Sequence, residues 1–112
     1  MKLPNSKVAY IPREKLLGYL LSETHPVGKS KAKFFRKLGF DETNVNKLEG
    51  SLLAFAYTND VEEVKETPYG VSYIINGSIK LPNRKTVTIK TVWFIETGKN
   101  SPRFVTAIPG II

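Results

Sequence analysis

A single histidine and a cluster of lysines lie together in residues 24–35, THPVGKSKAKFF. His25 is the only histidine, and Lys29, Lys31 and Lys33 follow it at alternate positions. Imidazole exchanges protons near neutral pH, and a cation at the start of a helix adds to the attraction of its free N–H groups for anions. Metal-independent cleavage of RNA needs a proton-transferring group together with a cation. The 2′-hydroxyl must lose a proton, the 5′-oxygen must gain one, and the phosphorus needs positive charge nearby.

Lys31 breaks the pattern of the helix that we predict over residues 29–38. The apolar arc of this helix consists of Ala32, Phe34, Phe35 and Leu38. Lys31 falls inside this arc, and such conflicts between pattern and charge are typical of functional sites. The alternative is a first-turn lysine whose stem lies on the core while its ammonium reaches water. For His25 the alternative is an exposed loop residue.

The C-terminal strand adds two polar residues. Arg103 follows Pro102 at the start of this strand, where a guanidinium can bind a phosphate through two hydrogen bonds. Thr106 lies three residues later among apolar neighbours. The predicted catalytic residues are thus His25 as general acid or base, Lys31 and Arg103 as phosphate-stabilising cations, and Thr106 as an orienting hydrogen-bond partner.

The net charge of +7, from 17 Lys+Arg against 10 Asp+Glu, favours an anionic partner, which is a nucleic acid such as RNA or another polyanion. The predicted nucleic-acid-binding residues are Lys29, Lys33, Arg36, Lys37 and Trp93. The first four share the polar side of the second helix, whereas Trp93 would stack on a base, although large aromatic residues on strands more often lie in the core. The alternative function is a non-catalytic basic module that binds nucleic acid or an acidic protein partner and does not depend on His25. A third alternative is a protein-interaction or inhibitor domain that does not contact nucleic acid.

Three helices precede four strands in the predicted order. The first helix covers residues 12–21, with Pro12 at its first position, and Gly39 ends the second helix. Asp41 caps the third, whose predicted core residues are Val45, Leu48, Leu52, Phe55 and Ala56. The helical half is residues 12–59.

Period-two alternation of apolar residues marks the sheet half, residues 60–109. Turn signals lie at residues 67–70 and 81–85, and Asn76-Gly77 marks a tight turn or a bulge. Helices and strands that are segregated in this way indicate an α+β fold, with three N-terminal helices packed on one face of a four-stranded antiparallel meander.

Composition limits the class of protein. The 112 residues make one domain, and the lack of cysteine excludes disulfides and thiolate metal sites. We therefore expect no metal and no cofactor. The apolar runs are too short to span a membrane, and the N-terminus lacks the apolar region of a signal peptide. These features favour a cytoplasmic protein with no membrane partner.

Five motifs together resemble a bacterial family of small domains of unknown function. They are LPN at 3–5, HPVGKSKAKFFRKLGF at 25–40, ETPYGVSY at 66–73, TVWFIETG at 91–98 and PRFVTAIP at 102–109. More distantly, the chain is similar to the barnase, EndoU, colicin D and RelE group of metal-independent ribonucleases. This second resemblance implies a toxin, in some cases the C-terminal module of a larger secreted protein, with an immunity or antitoxin protein as partner. Ile108 departs from the aromatic residue found in several relatives.

Overall fold

The computed structural model describes residues 1–110. Helices occupy the first half of the chain, and a sheet occupies the second half. Helix α1 starts as one α-helical turn, Arg13–Lys15, and continues as a π-helix, Leu16–Leu20. Helix α2 is Lys29–Lys37 and helix α3 is Val45–Thr58. Short 3-10 turns lie at Ser6–Val8 and Glu42–Asn44.

Helix α1 differs from the regular helix expected over residues 12–21. The N–H of Leu21 donates to the carbonyl of Leu16 at 2.9 Å, which is the i→i+5 bond of a π-helix. The wider turn leaves Leu16 and Leu20 buried, whereas Leu17 is 40% exposed. Pro12 is the residue before the helix and not its first member.

The ends of α2 and α3 follow the sequence prediction closely. Gly39 has φ 103°, the left-handed conformation that glycine adopts without strain. The carboxylate of Asp41 accepts from the N–H of Thr43 at 2.8 Å, so it caps the 3-10 turn Glu42–Asn44 and not α3 itself, which Asn44 precedes. All five apolar residues predicted for the buried side of α3 are buried. Local signals were sufficient here because each one acts within a few residues.

The sheet is the predicted antiparallel meander, in the order β1-β2-β3-β4. Its strands are β1 (Val61–Thr67), β2 (Gly70–Lys80), β3 (Thr86–Glu96) and β4 (Arg103–Pro109). One core joins the helical leucines and phenylalanines to strand residues such as Ile75, Ile89 and Phe104. The fold is therefore α+β with the helices on one side of the sheet. No helix within residues 1–110 is long and apolar enough to cross a membrane.

The predicted turn or bulge at Asn76-Gly77 is wrong. Strand β2 runs straight through this pair, with Asn76 opposite Lys90 and Gly77 opposite Ile89 on β3. A Cβ on Gly77 would lie 2.3 Å from the side-chain oxygen of Asn59, which follows the end of α3. This glycine therefore allows a close approach between helix and sheet, and it does not mark a change of direction.

Trp93 lies in the core and is 0% exposed, so its predicted stacking on a nucleic-acid base is wrong. Its indole N–H donates to the hydroxyl of Thr91 at 2.9 Å, and Thr91 is also fully buried. A buried indole needs such a partner, since an unpaired N–H in the core is costly. The ring also packs edge-to-face on Phe104, with centroids 5.3 Å apart.

Arg36 joins three segments of the helical half, so it does not present a free cation to nucleic acid. Its guanidinium donates to the carbonyl of Leu21 at 2.7 Å, and it forms ion pairs with Glu23 and Glu42. The end of α1, the following loop and the 3-10 turn before α3 are held together by this one side chain. The hydrogen bond from Arg36 is the main reason that the pKa of Glu42 lies below its ordinary value.

Replacement of Glu42 by Gln should weaken this junction in a pH-dependent way. Because the folded-state pKa of Glu42 is lowered, its carboxylate contributes stability above the ordinary value of 4.5, and this contribution is lost as the pH falls below it. Chemical denaturation from pH 7 to pH 3 should show a wild-type advantage over E42Q that shrinks on the acid side. Glu66→Gln, on the exposed strand β1, is the control and should follow the wild type. An E42Q deficit that is constant over this range would contradict the assignment.

Candidate active site around Tyr19

Tyr19, on the π-helical part of α1, contacts three of the four predicted catalytic residues. Its hydroxyl shares a hydrogen bond of 2.9 Å with the hydroxyl of Thr106 on β4. The ring of His25 packs edge-to-face on the Tyr19 ring, with centroids 5.2 Å apart, and the Lys31 ammonium lies 5.7 Å from the Tyr19 centroid. The structure thus brings His25, Lys31 and Thr106 around one residue that sequence analysis did not single out.

A second ammonium and a hollow complete this site. The Nζ atom of Lys15 lies 4.7 Å from the Tyr19 ring centroid. Beside the ring is a hollow of about 320 Å³ lined by Glu14, Lys15, Gly18, Tyr19 and His25. Lys31 and Thr106 contact Tyr19 without lining this hollow. The lining itself provides one cation, one carboxylate and one imidazole for a phosphate-sized ligand, and the second cation, Lys31, lies on the adjoining Tyr19 ring.

The hydrogen bonds of His25 define which ring nitrogen carries a proton. Its Nδ1 accepts from the backbone N–H groups of Val27 and Gly28, at 3.0 and 2.9 Å. A nitrogen that accepts two N–H groups carries no proton, so the neutral ring holds its proton on Nε2. In this conformation His25 is a hydrogen-bond donor through Nε2. Uptake of a proton at Nδ1 would displace both backbone bonds, which disfavours the general acid–base role expected from sequence.

Gly28 allows the His25 loop to pack on α1. A Cβ at this position would lie 2.4 Å from the carbonyl oxygen of Tyr19 and 3.0 Å from its carbonyl carbon. Both are backbone atoms, so they cannot move aside as the end of a side chain does. The loop therefore reaches Tyr19 only because residue 28 has no side chain.

Arg103 lies apart from this site. It is exposed at the start of β4, and its guanidinium carbon is 5.8 Å from the centroid of the Phe94 ring. It lines a different hollow, which shares no lining residue with the one beside Tyr19. The structure does not bring Arg103 together with His25.

The polar side of α2 carries three exposed lysines, Lys29, Lys33 and Lys37. They are spaced four residues apart, so they form a row along the helix. We call this row the lysine face. Arg36 was predicted to belong to it, but its donors are engaged by Leu21, Glu23 and Glu42.

Three site residues were missed by sequence analysis: Glu14, Lys15 and Tyr19. Tyr19 lies within the apolar segment LLGYLL, where its ring is taken for a core residue. The available signal was its hydroxyl, since a half-buried tyrosine needs a polar partner. Lys15 precedes it by four residues, which is the spacing of neighbouring side chains on a helix.

Comparison with known proteins identifies the family. The family described as domain of unknown function DUF6883 matches residues 2–111. The chain belongs to this family. Membership of a family of unknown function was expected from the motifs and is confirmed. No curated protein sequence matches this DUF6883 domain.

The fold of the DUF6883 domain is similar to that of a solved structure. The match is a chain of a "Contact-dependent growth inhibition toxin - immunity protein complex from Klebsiella pneumoniae 342". The TM-score is 0.71, and the match covers 96% of this chain and 97% of that chain at 19% sequence identity. At this identity the similarity concerns the fold alone.

Substitution of His25 should separate its two hydrogen-bonding roles. In His25→Asn the side-chain oxygen can still accept from the backbone two or three residues ahead, as asparagine does in turns, but the Nε2–H donor is lost. We expect H25N to unfold at nearly the wild-type denaturant midpoint and His25→Ala to lose about 1 kcal/mol, as for loss of a helix cap. Chemical denaturation measures both. Equal destabilisation by the two variants would contradict the loop-capping role of Nδ1.

Replacement of Gly28 by Ala should displace the His25 loop. The new Cβ would overlap the Tyr19 carbonyl, and we expect a loss of about 1–3 kcal/mol in the free energy of unfolding. Gly50→Ala is the matched control, because Gly50 is exposed on α3 and nothing lies within 4 Å of its added Cβ. That variant should gain up to about 1 kcal/mol from helix propensity. Similar stabilities of the two variants in denaturation curves would contradict the close approach at Gly28.

Proposed function

We propose that this DUF6883 domain is a toxin-like domain that cleaves RNA without a metal ion, at the hollow beside Tyr19. The observation that carries the proposal is the set of groups around Tyr19: the Lys15 and Lys31 ammoniums, the His25 ring and the Thr106 hydroxyl. One cation and an imidazole that line the hollow, with a second cation on the adjoining ring, suit a transition state that gathers negative charge on phosphate oxygens.

Two further lines support this proposal. The fold is similar to a chain of a contact-dependent growth inhibition toxin–immunity protein complex. The more distant resemblance of the chain to the barnase, EndoU, colicin D and RelE group suggests an RNA-cleaving activity. The first line fits either a toxin or an immunity protein, and the second favours the toxin, with an immunity or antitoxin protein as its natural inhibitor.

In the proposed reaction, the scissile phosphate of RNA occupies the hollow. The 2′-oxygen attacks phosphorus, the bond to the 5′-oxygen breaks, and a 2′,3′-cyclic phosphate forms. Lys15 and Lys31 offset the negative charge that develops on the phosphate, and the Nε2–H of His25 donates to one of its oxygens. The hydrogen bond between Tyr19 and Thr106 holds the phenol ring against which these groups are arranged.

Glu14 is the group best suited to accept the 2′-hydroxyl proton. It lines the hollow together with Tyr19 and His25, and a carboxylate accepts protons without a change of conformation. The Nδ1 atom of His25 is occupied by two backbone N–H groups, so it is the poorer acceptor. In this scheme Glu14 takes the proton from the 2′-hydroxyl, and water supplies the proton that the 5′-oxygen needs.

Cleavage of RNA in EDTA tests the proposal. We expect the wild type to cut total RNA or tRNA and leave 2′,3′-cyclic ends. Glu14→Gln should lower the rate by roughly 10²–10⁴, as for loss of a general base, and H25N by roughly 10²–10³, as for loss of one transition-state donor. Glu66→Gln, on β1, removes one negative charge as E14Q does, so it is the charge-matched control and should keep the wild-type rate.

Two results would overturn the proposal. One is the absence of cleavage by the wild type across a range of pH and RNA substrates. The other is wild-type cleavage rates in both E14Q and H25N, which would indicate a contaminating nuclease or a site elsewhere. If E14Q is active while H25N and H25A are not, the proton acceptor is His25 and the loop must release its Nδ1 during reaction.

The lysine face favours a second candidate function, a non-catalytic basic module that binds RNA or an acidic protein partner. Simultaneous replacement of Lys29, Lys33 and Lys37 by glutamate should then weaken RNA binding steeply at low salt. The slope of log K against log salt concentration should become shallower by about two, because each phosphate contact contributes about 0.7–0.9 to that slope. Binding that depends on this face, without any cleavage and without an effect of H25N, would favour the binding module over the ribonuclease.

A further inference from the structure

A second hollow, of about 250 Å³, lies at the end of the β3–β4 hairpin. It is lined by Tyr10, Phe94, Glu96, Lys99 and Arg103, together with Asn100 and Ser101. None of these residues takes part in the site around Tyr19. The combination of aromatic rings, two cations and one carboxylate in so small a space suggests a ligand with an aromatic, an anionic and a hydrogen-bond-donating part.

Backbone hydrogen bonds hold this hollow in shape. The N–H of Tyr10 donates to the carbonyl of Pro102, and the N–H of Phe104 donates to the carbonyl of Tyr10, both at 3.0 Å. The side-chain amide of Asn5 donates to the backbone carbonyl of Asn100 at 2.9 Å, which fixes the loop between β3 and β4. The lining residues come from three segments that are joined in this way, so the hollow is formed before any ligand binds.

The cations of the hollow are available to a ligand. The guanidinium of Arg103 is held over the Phe94 ring at 5.8 Å, so its orientation is set by that contact. Within residues 1–110, neither Arg103 nor Lys99 forms an ion pair. A guanidinium that is held in place and has no carboxylate partner binds a phosphate well, because its N–H groups match two phosphate oxygens.

The remaining groups favour one type of base. Tyr10 is 46% exposed, which leaves its ring accessible for stacking. Glu96 is an exposed carboxylate on the same lining, and it accepts hydrogen bonds without donating any. Among the four RNA bases, guanine alone has two adjacent N–H donors on its Watson–Crick edge, and these match the two oxygens of a carboxylate.

We propose that this hollow binds a guanine nucleotide of a single RNA strand. Tyr10 stacks on the base, Glu96 accepts from its N1–H and N2–H groups, and Arg103 and Lys99 bind the phosphate. As a recognition site for the RNA substrate, the inference rests on the proposed function. Arg103 and Thr106 are three residues apart on β4, about 10 Å along the strand. Strand β4 thus carries both a lining residue of this hollow and the hydrogen-bond partner of Tyr19.

Nucleotide titrations followed by NMR test this inference without any cleavage. Guanosine 5′-monophosphate should shift the backbone amide signals of Tyr10 and residues 96–103, and it should saturate at a concentration about tenfold lower than adenosine or cytidine monophosphate. Glu96→Gln, which keeps the side-chain size, should remove this preference. Arg103→Lys should weaken the binding of all three nucleotides to the same extent, because Arg103 contacts the phosphate that they share.

The outcomes separate this site from the catalytic proposal. Equal affinity for all nucleotides, an unchanged guanine preference in E96Q, or shifts confined to the lysine face would each overturn the guanine site. Selective binding here by a protein that cuts no RNA would keep the site and overturn the ribonuclease. Cleavage that depends on Glu14 and His25, without any nucleotide shifts at residues 96–103, would overturn the guanine site alone.

Discussion

The candidate site depends on the contact between Gly28 and the backbone of Tyr19. No side chain fits between them, since a Cβ would lie 2.4 Å from the Tyr19 carbonyl oxygen. The contact sets where the loop after α1 turns back, and this loop carries His25. Helix α2 starts one residue later, so the position of Lys31 is fixed by the same contact. The Tyr19 hydroxyl then reaches Thr106 and ties the helical half to β4.

Some cationic side chains of this protein hold the fold together through ion pairs, whereas others are available to bind an anionic ligand. Arg36, which has acidic neighbours on either side, holds loops together and has little left to offer a ligand. Lys15, Lys31 and Arg103 all lie beside aromatic rings, which orient them without neutralising them. Ring contacts thus leave cations available to anions, whereas carboxylate contacts do not. This distinction matters more than the total of +7.

Elements governed by local chemistry could be predicted from the sequence. Gly39, the Asp41 cap and the buried side of α3 depend on residues a few positions apart, and the alternation in β3 reflects a single strand. Asn76-Gly77 was misjudged because the same two residues suit a tight turn and also a strand that another side chain approaches closely. The local sequence does not distinguish these cases.

The site itself was only partly predictable. His25, Lys31 and Thr106 stood out because their chemistry conflicts with their surroundings. Tyr19 did not, since its partner Thr106 is 87 positions away and the π-helical turn that aims its ring has no clear sequence signal. Trp93 was misassigned because strand alternation identifies two faces without telling which one is covered by helices.

The π-helical turn in α1 makes this site sensitive to chain length. A π turn contains one residue more than an α turn, so deletion of a single codon within residues 16–20 would allow a regular helix to form. The hydrogen bond between Leu16 and Leu21 would then be that of an α turn, so the flanking segments would keep their places, but the residues between them, Tyr19 included, would point in new directions. Natural variation in this segment should therefore exchange residue types while it preserves their number.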